Sequence, residues 1–299
     1  MDMSIWPSLE RSWDEVLDVA HYAELTGWDG FWFADHLMPN TLDDAPSDGP
    51  TLECWAVLAA LAAAVPRLRL GSLVTPTTMH HPAVLAKRAA TVDHISGGRL
   101  VLGIGAGWQV NEHRAYGIDL LPLGERVSRF SEALQILRGL LLESRTTFAG
   151  RHLTVIDAPC EPKPLQQPLP ILVGAAGPRM LRATVRWADE WNTWGDLDQA
   201  AHRHGLLEAA CDAVGRDVAT LRRSVQAMVF LSDDRAGDEG RTPAGRSLVG
   251  SPGEVVDALG RYAEMGFDEF IVPDFNLGAT PTARREALER IREDVLAQL

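Results

Sequence analysis

Eight short apolar stretches, each followed by a stretch with helical character, succeed one another along the whole chain. The stretches are residues 1–6, 29–33, 68–74, 99–104, 170–173, 190–193, 224–231 and 269–272. They are four to eight residues long and rich in Val, Ile, Leu and Phe, as strands buried on both faces of a parallel sheet must be. Helical stretches follow them. Ser12 and Glu15 have the S-x-x-E spacing of a capping box, and so do Ser251 and Glu254. Gly27 ends the first helix, and Pro82 opens another at its first turn. In 125–142, Val127, Phe130, Leu134, Leu137 and Leu141 fall on one helical face. Eight such βα units predict one domain, residues 1–299, folded as an α/β single (β/α)8 TIM barrel. The rhythm breaks only at 143–168, between strands 4 and 5. A hairpin turn at Phe148–Arg151 and a run of prolines there read as an excursion from the barrel. The alternative, an open doubly wound sheet, would want G-x-G-x-x-G after the first strand, which instead ends in Trp6-Pro7-Ser8-Leu9.

The charge balance narrows the partners. With 28 basic and 41 acidic residues, the net charge of −13 argues against nucleic acid or an anionic membrane surface. Cys54, Cys160 and Cys211 form no C-x-x-C, so neither a disulfide framework nor a cysteine zinc site is expected. No apolar run approaches the roughly 20 residues of a membrane span. Met1–Ser4 has no basic, signal-like character, and a cytoplasmic location is the expectation.

In a barrel of this kind the chemistry sits where the strands end and their following loops begin. Asp35 and His36 follow the second strand: Asp35 as an acceptor for a ligand or a loop cap, His36 as a proton carrier, a ring to stack on a ligand, or a structural side chain. Ser72, Leu73 and Thr75 leave the third strand, offering hydroxyls and apolar backing for a cofactor, or an ordinary proline turn. Gly103, Gly105 and Gly107 permit close backbone approach to a ligand, or make a tight bend. Gly174, Ala175, Ala176 and Gly177 run straight into Pro178. Their backbone N–H groups and the helix dipole suit a phosphate; a tight βα turn is the plainer alternative. His80-His81 lacks metal-site spacing, and His202 and His204 fall on a helix that reads as exposed.

Taken together, these segments resemble the bacterial luciferase-like monooxygenase superfamily. The resemblance is carried by Gly30–His36, His81–Lys87, Ser96–Trp108, Arg126–Arg138, Pro168–Gly174 and Val249–Val255. It is strongest to the branch that uses the deazaflavin coenzyme F420, and it implies a cytoplasmic oxidoreductase, commonly a homodimer. Such an enzyme passes hydride between F420 and a small organic substrate. The resemblance implies a non-proline cis peptide at Ser72–Leu73 backing the ring. It implies Asp35 and Thr75 on the ring or its ribityl chain, Asn111 and the Gly105–Gly107 backbone along the tail, and Gly174, Ala175, Ala176 and Gly177 on the phosphate. His36 and Trp108 are the expected catalytic pair. Sugar-phosphate dehydrogenases of that branch carry a glutamate where Trp108 stands and a lysine shortly after the sixth strand. Here the latter loop reads Thr193-Trp194-Gly195-Asp196, which points away from a sugar phosphate. Trp6, Trp108 and Trp194 instead suggest an aromatic pocket for an apolar or planar substrate. A flavin mononucleotide (FMN) monooxygenase is the same-class alternative; a barrel hydrolase or a noncatalytic ligand-binding barrel is the alternative from other classes. Residues 232–247, polar and glycine-rich at the barrel mouth, are expected to form a lid or a solvated loop.

Overall fold

The first strand, β1 (Asp2–Trp6), pairs in parallel with β2 (Gly30–Phe33) on one side and with the last strand, β13 (Glu269–Pro273), on the other. From β2 the ring continues through β3 (Arg69–Ser72), β5 (Leu100–Gly105), β8 (Ile171–Gly174), β9 (Glu190–Trp194) and β10 (Arg222–Gln226) to β13. The β3–β5 pairing closes it, with Leu70 opposite Leu100. This computed structural model describes residues 1–232 and 242–299, and its barrel has the eight parallel strands predicted from sequence. The third barrel strand is broken: after a kink at Leu73–Val74 it resumes as β4 (Thr75–Pro76), still paired with β5.

The helices around the ring begin and end where local chemistry dictates. Ser12 caps α1 (Trp13–Thr26), accepting from Glu15 N, and Gly27 closes it at φ 88°. The reciprocal capping box forms only at α8 (Pro252–Glu264), between Ser251 and Glu254. At α1 the Glu15 carboxylate is drawn instead to Arg284, 2.5 Å away on α9 (Pro281–Asp294). Glu53 caps α2 (Cys54–Ala64), its carboxylate accepting from Ala56 N. His81 caps α3 (Pro82–Ser96). A short α4 (Val110–Ala115) precedes the long α5 (Leu123–Leu142). The expected excursion carries a hairpin, β6 (Thr146–Ala149) with β7 (Thr154–Ala158). After it come α6 (Pro178–Trp187) and α7 (Leu197–Asp212).

Two readings need correction. The expected seventh strand, 224–231, is two strands: β10 stays in the barrel, while β11 (Met228–Leu231) pairs with β12 (Ser247–Gly250) outside it. The ladder to β9 runs out where Trp194 meets Gln226, so the next backbone groups need another partner. His204 is not solvated. It is 8% exposed, with Nε2 3.1 Å from an Arg223 guanidinium nitrogen and its ring tilted against Phe267.

Apolar side chains fill the space between strands and helices; a second, smaller cluster lies inside the ring. Trp32 belongs to that inner cluster, with Trp6, Leu73 and Leu172. Its indole nitrogen donates to Glu269 Oε1 (2.7 Å), which also accepts from Ser4 Oγ (2.5 Å). Arg69 binds Glu269 at 3.2 Å and also pairs with Glu190. These groups sit at the strand beginnings, opposite the expected site, and close that end of the barrel. Among the described residues no helix is long and apolar enough to cross a membrane.

Candidate active site

At the end of β2 the chain delivers two polar side chains to the barrel mouth. Asp35 is 2% exposed, and His80 Nε2 approaches its Oδ2 to 3.0 Å. Arg88 reaches the other nitrogen of that imidazole, Nδ1, at 3.2 Å. An arginine can only donate, so a neutral His80 holds its hydrogen on Nε2, although Asp35 Oδ2 itself has no well-aligned hydrogen-bond partner among the described residues. Both members of the His80-His81 pair thus have structural work, one against Asp35 and one capping α3. Among the described residues no group of three or more His, Cys, Asp or Glu is placed to hold a metal.

His36 is partly open to solvent, and its Nδ1 lies 2.8 Å from Glu112 Oε1. The other Glu112 oxygen accepts the backbone N–H of Leu37 at 2.7 Å. A carboxylate at Nδ1 assigns the hydrogen to that nitrogen and leaves Nε2 available to take or give a proton. Glu112 is 1% exposed and lies on α4. It escaped the sequence reading, although it stands next to Asn111. The signal was its place on a short helix directly after a strand-end glycine turn.

Asn111 has a different task from the one expected. Its Nδ2 donates to the carbonyls of Pro39 (2.9 Å) and Ala45 (3.1 Å), and Gln109 Nε2 donates to Met38 O (2.8 Å). Together they tie α4 to the loop after His36. Asn111 is fully buried there and presents no surface to a cofactor tail.

The kinked third strand forms the neighbouring wall. The cis peptide is Leu73–Val74, one residue beyond the expected Ser72–Leu73. Ser72 Oγ donates to Gly103 O (2.8 Å), and Thr75 Oγ1 accepts from Trp55 Nε1 (3.2 Å), so both hydroxyls brace the kink. The glycines of β5 make room for it. A Cβ on Gly103 would come within 1.8 Å of Ser72 O, and one on Gly105 within 2.8 Å of a Val74 methyl. A Cβ on Gly174 would lie 3.4 Å from both Val74 methyls. Val74 therefore packs between the ends of β5 and β8. Gly107 has φ 85°, and its carbonyl accepts from Arg126 (3.0 Å). The alternating glycines are thus explained first by close backbone packing.

Across the mouth, Gly174–Gly177 leads into α6. Gly177 is the N-cap and supplies no side-chain hydrogen bond, and Pro178 occupies the first turn. Space around Gly177 is open: a Cβ there would meet nothing within 4 Å. This is an uncapped, accessible helix start, the geometry that binds anions.

Aromatic rings line the rest. Trp6 lies 5.5 Å from Trp194 and 4.9 Å from Phe275, and the Arg246 guanidinium sits 5.5 Å over the Trp194 ring. Trp108 is not part of this group, contrary to the expected trio. It is 58% exposed and meets His36 edge-on, with ring centres 5.7 Å apart. The proposed lid falls largely on 233–241, outside the described residues; at its start Ser232 N donates to Gly250 O.

The mouth of this parallel eight-stranded barrel thus gathers an imidazole–carboxylate pair, an uncapped helix start and an aromatic wall at the strand ends. The profile of luciferase-like monooxygenases matches residues 2–239. The chain belongs to this family. A protein of Kineococcus radiotolerans named F420-dependent glucose-6-phosphate dehydrogenase is 32% identical over 226 residues, covering 74% of this chain and 65% of that one. One of the same name from Microbacterium testaceum is matched over 59% of its length. Another, from Beutenbergia cavernae, is 29% identical over 95% of this chain and 93% of its own. Among solved structures, the coenzyme F420 dependent tetrahydromethanopterin reductase of Methanopyrus kandleri superposes with a TM-score of 0.81 at 17% identity, covering 99% of both chains. A monooxygenase from Streptomyces bottropensis also gives 0.81, at 22% identity, covering 100% of this chain and 99% of its own. Deazaflavin enzyme and monooxygenase thus share this fold equally, and the fold alone does not choose between them.

Proposed function

We propose that this protein is an oxidoreductase that passes hydride between coenzyme F420 and a small organic substrate, with His36 handling the accompanying proton. The supporting observation is the wall at the end of the third barrel strand. Val74 is seated between Gly105 and Gly174 there, one strand away from His36. That wall offers a planar ring an apolar backing with the imidazole nearby. The names of the relatives from Kineococcus and Beutenbergia point to the same cofactor.

The residues present fit such a group. Thr77 Oγ1 and Trp6 Nε1 are buried at the mouth with no hydrogen-bond partner among the described residues, so polar groups there stand ready for a ligand. In this reading Asp35 lies near the ring or its ribityl chain and the open start of α6 at Gly174, Ala175, Ala176 and Gly177 takes the phosphate, while Thr75, fully buried with its hydroxyl bound by Trp55, serves the wall and not the ring. When bound, F420 supplies the hydride-carrying ring. The chain supplies the rest. Glu112 holds His36 in one tautomer, leaving Nε2 to give a proton to the substrate heteroatom or to take one from it. Trp108 partly covers the imidazole. Trp6, Trp194 and Phe275 exclude water and favour an apolar or planar substrate over a sugar phosphate.

Titration of the cofactor-free protein with F420 and with FMN, followed by deazaflavin fluorescence and flavin absorbance, tests the cofactor. Tight binding of F420 and weak binding of FMN is the expected result. The reverse order, with oxygen consumed on reduction, would establish the monooxygenase alternative.

A further inference from the structure

Three arginines on the flank of the barrel have no part in the site described so far. Arg179, Arg182 and Arg186 recur along the exposed face of α6, opposite Ser128, Ser131 and Gln135 of α5. The groove between the two helices encloses about 440 Å³. Helix physics does not favour this arrangement. Like charges three and four residues apart repel, and a cation in the first turn opposes the helix dipole. Neither Arg182 nor Arg186 has an ion-pair partner among the described residues, in a chain with 41 acidic and only 28 basic residues. The one carboxylate in the groove, Glu132, accepts N–H bonds from Arg151, His152 and Leu153, all at 2.9 Å, so its charge is committed to the hairpin turn.

The groove also starts in a telling place. Arg179 stands two residues after Gly177, the N-cap of the proposed phosphate turn. Its guanidinium donates to Gly124 O (3.1 Å) and Ser128 Oγ (3.0 Å), bridging the starts of α5 and α6 at the barrel mouth. From Arg179 to Arg186 the helix rises about 10 Å away from the mouth. An anionic chain attached to a phosphate at this turn would run directly along the arginines.

We infer that this groove holds the acidic tail of the cofactor. The inference rests on the F420 reading. In that coenzyme the phosphate continues through lactate into γ-linked glutamates, a flexible row of carboxylates, whereas FMN ends at its phosphate. Arg179 receives the first carboxylates, and Arg182 and Arg186 receive those further along. Ser131 and Gln135 offer hydrogen bonds from the facing helix.

The test compares two forms of the deazaflavin that share ring, ribityl chain and phospholactate: one without glutamate and one with an oligoglutamate tail. Both are titrated by fluorescence into wild type and into R182A/R186A at low salt. Wild type is expected to bind the tailed form about tenfold more tightly, as a few partly exposed charge pairs would allow. The double variant is expected to bring that ratio close to one while leaving the affinity for the tail-free form unchanged. Raising the salt to about 0.5 M, where screening acts within a few ångströms, should erase the wild-type preference too. Both substituted side chains are exposed, and an unchanged melting temperature shows that the variant is folded. Equal affinities in wild type, or a preference that survives in R182A/R186A, would overturn the tail site while leaving F420 binding intact. If neither form binds, the cofactor reading falls and the tail site falls with it.

Discussion

His36 and Glu112 show what a sequence can and cannot reveal about a single residue. His36 was legible because it follows an apolar strand in a barrel, where function concentrates. Glu112 was not, because its 2.8 Å contact to His36 exists only when α4 folds back over the loop after β2. Asn111, next to it, was singled out for the wrong reason: its amide clamps that loop to α4. His36→Ala is expected to keep F420 affinity within a few-fold and to lower turnover by about 10²–10⁴, the range for losing an acid–base group. If the ring only stacks on the cofactor, affinity falls instead and the rate at saturating cofactor stays. Glu112→Gln should keep the Leu37 contact but no longer dictate the imidazole tautomer. A loss of about 10–100-fold in turnover is expected, as for other partners that orient a working histidine. Single-turnover rates at saturating cofactor measure both effects, and a wild-type rate in Glu112→Gln would remove the orienting role.

At the scale of elements, the glycines separate two meanings that look alike in sequence. Gly103 and Gly105 invited a cofactor reading, yet their first duty is to let the kinked third strand approach; Gly177 lies in open space. The kink itself was anticipated one residue too early, because the resemblance that implied it carries a pattern of residues, not a backbone path. The split of the seventh strand was hidden for another reason: 224–231 is uniformly strand-like, and only the end of the β9 ladder at Gln226 divides it. These differences can be measured. Gly103→Ala places a Cβ against a backbone carbonyl that cannot rotate away, and is expected to cost about 1–3 kcal/mol, with loss of cofactor affinity as the wall shifts. Gly177→Ala meets no clash and is expected to cost at most about 1 kcal/mol, the loss from Ala being a poorer N-cap than Gly. Gly177→Asp separates stability from binding. An aspartate there caps α6 and is expected to leave the protein as stable or slightly more so. The same carboxylate takes the place of the phosphate and should weaken F420 binding strongly. Unchanged affinity in a folded Gly177→Asp protein would remove the phosphate assignment. Urea denaturation and cofactor titration on the three variants distinguish these outcomes.

At the scale of the whole molecule, the barrel could be read because its strands are buried on both faces and several helices carry their own caps. Those signals are local, and eight repeats of them leave little topological freedom. What closes the far end of the ring is not local. Arg69 reaches Glu190 and Glu269, about 120 and 200 residues further along the chain, and no spacing rule joins them. Burial raises the Glu190 carboxyl above its usual value, and the Arg69 guanidinium is the chief influence holding it down. A raised acid contributes stability that is complete below its unfolded value, near pH 4.5, and is lost as the pH climbs through the folded one. Removing Arg69 raises the folded value further and leaves two nearly buried carboxylates with only Arg222, 3.7 Å from Glu269, as a neighbouring cation. Arg69→Met is therefore expected to cost about 3 kcal/mol at pH 7, where both carboxylates must otherwise remain charged. The cost should shrink as the pH is lowered toward about 5, because Glu190 can then enter the fold protonated. His113 and His204, both held below the usual histidine value chiefly by burial, destabilise the fold on acidification, but they do so in wild type and variant alike. Their effect cancels in the difference between the two unfolding free energies. Urea denaturation of both proteins at pH 7 and pH 5 gives that difference directly. A gap that stays the same at the two pH values would mean that Arg69 acts through its guanidinium over the Trp32 ring, 5.8 Å from the ring centre, and not through the charge of Glu190.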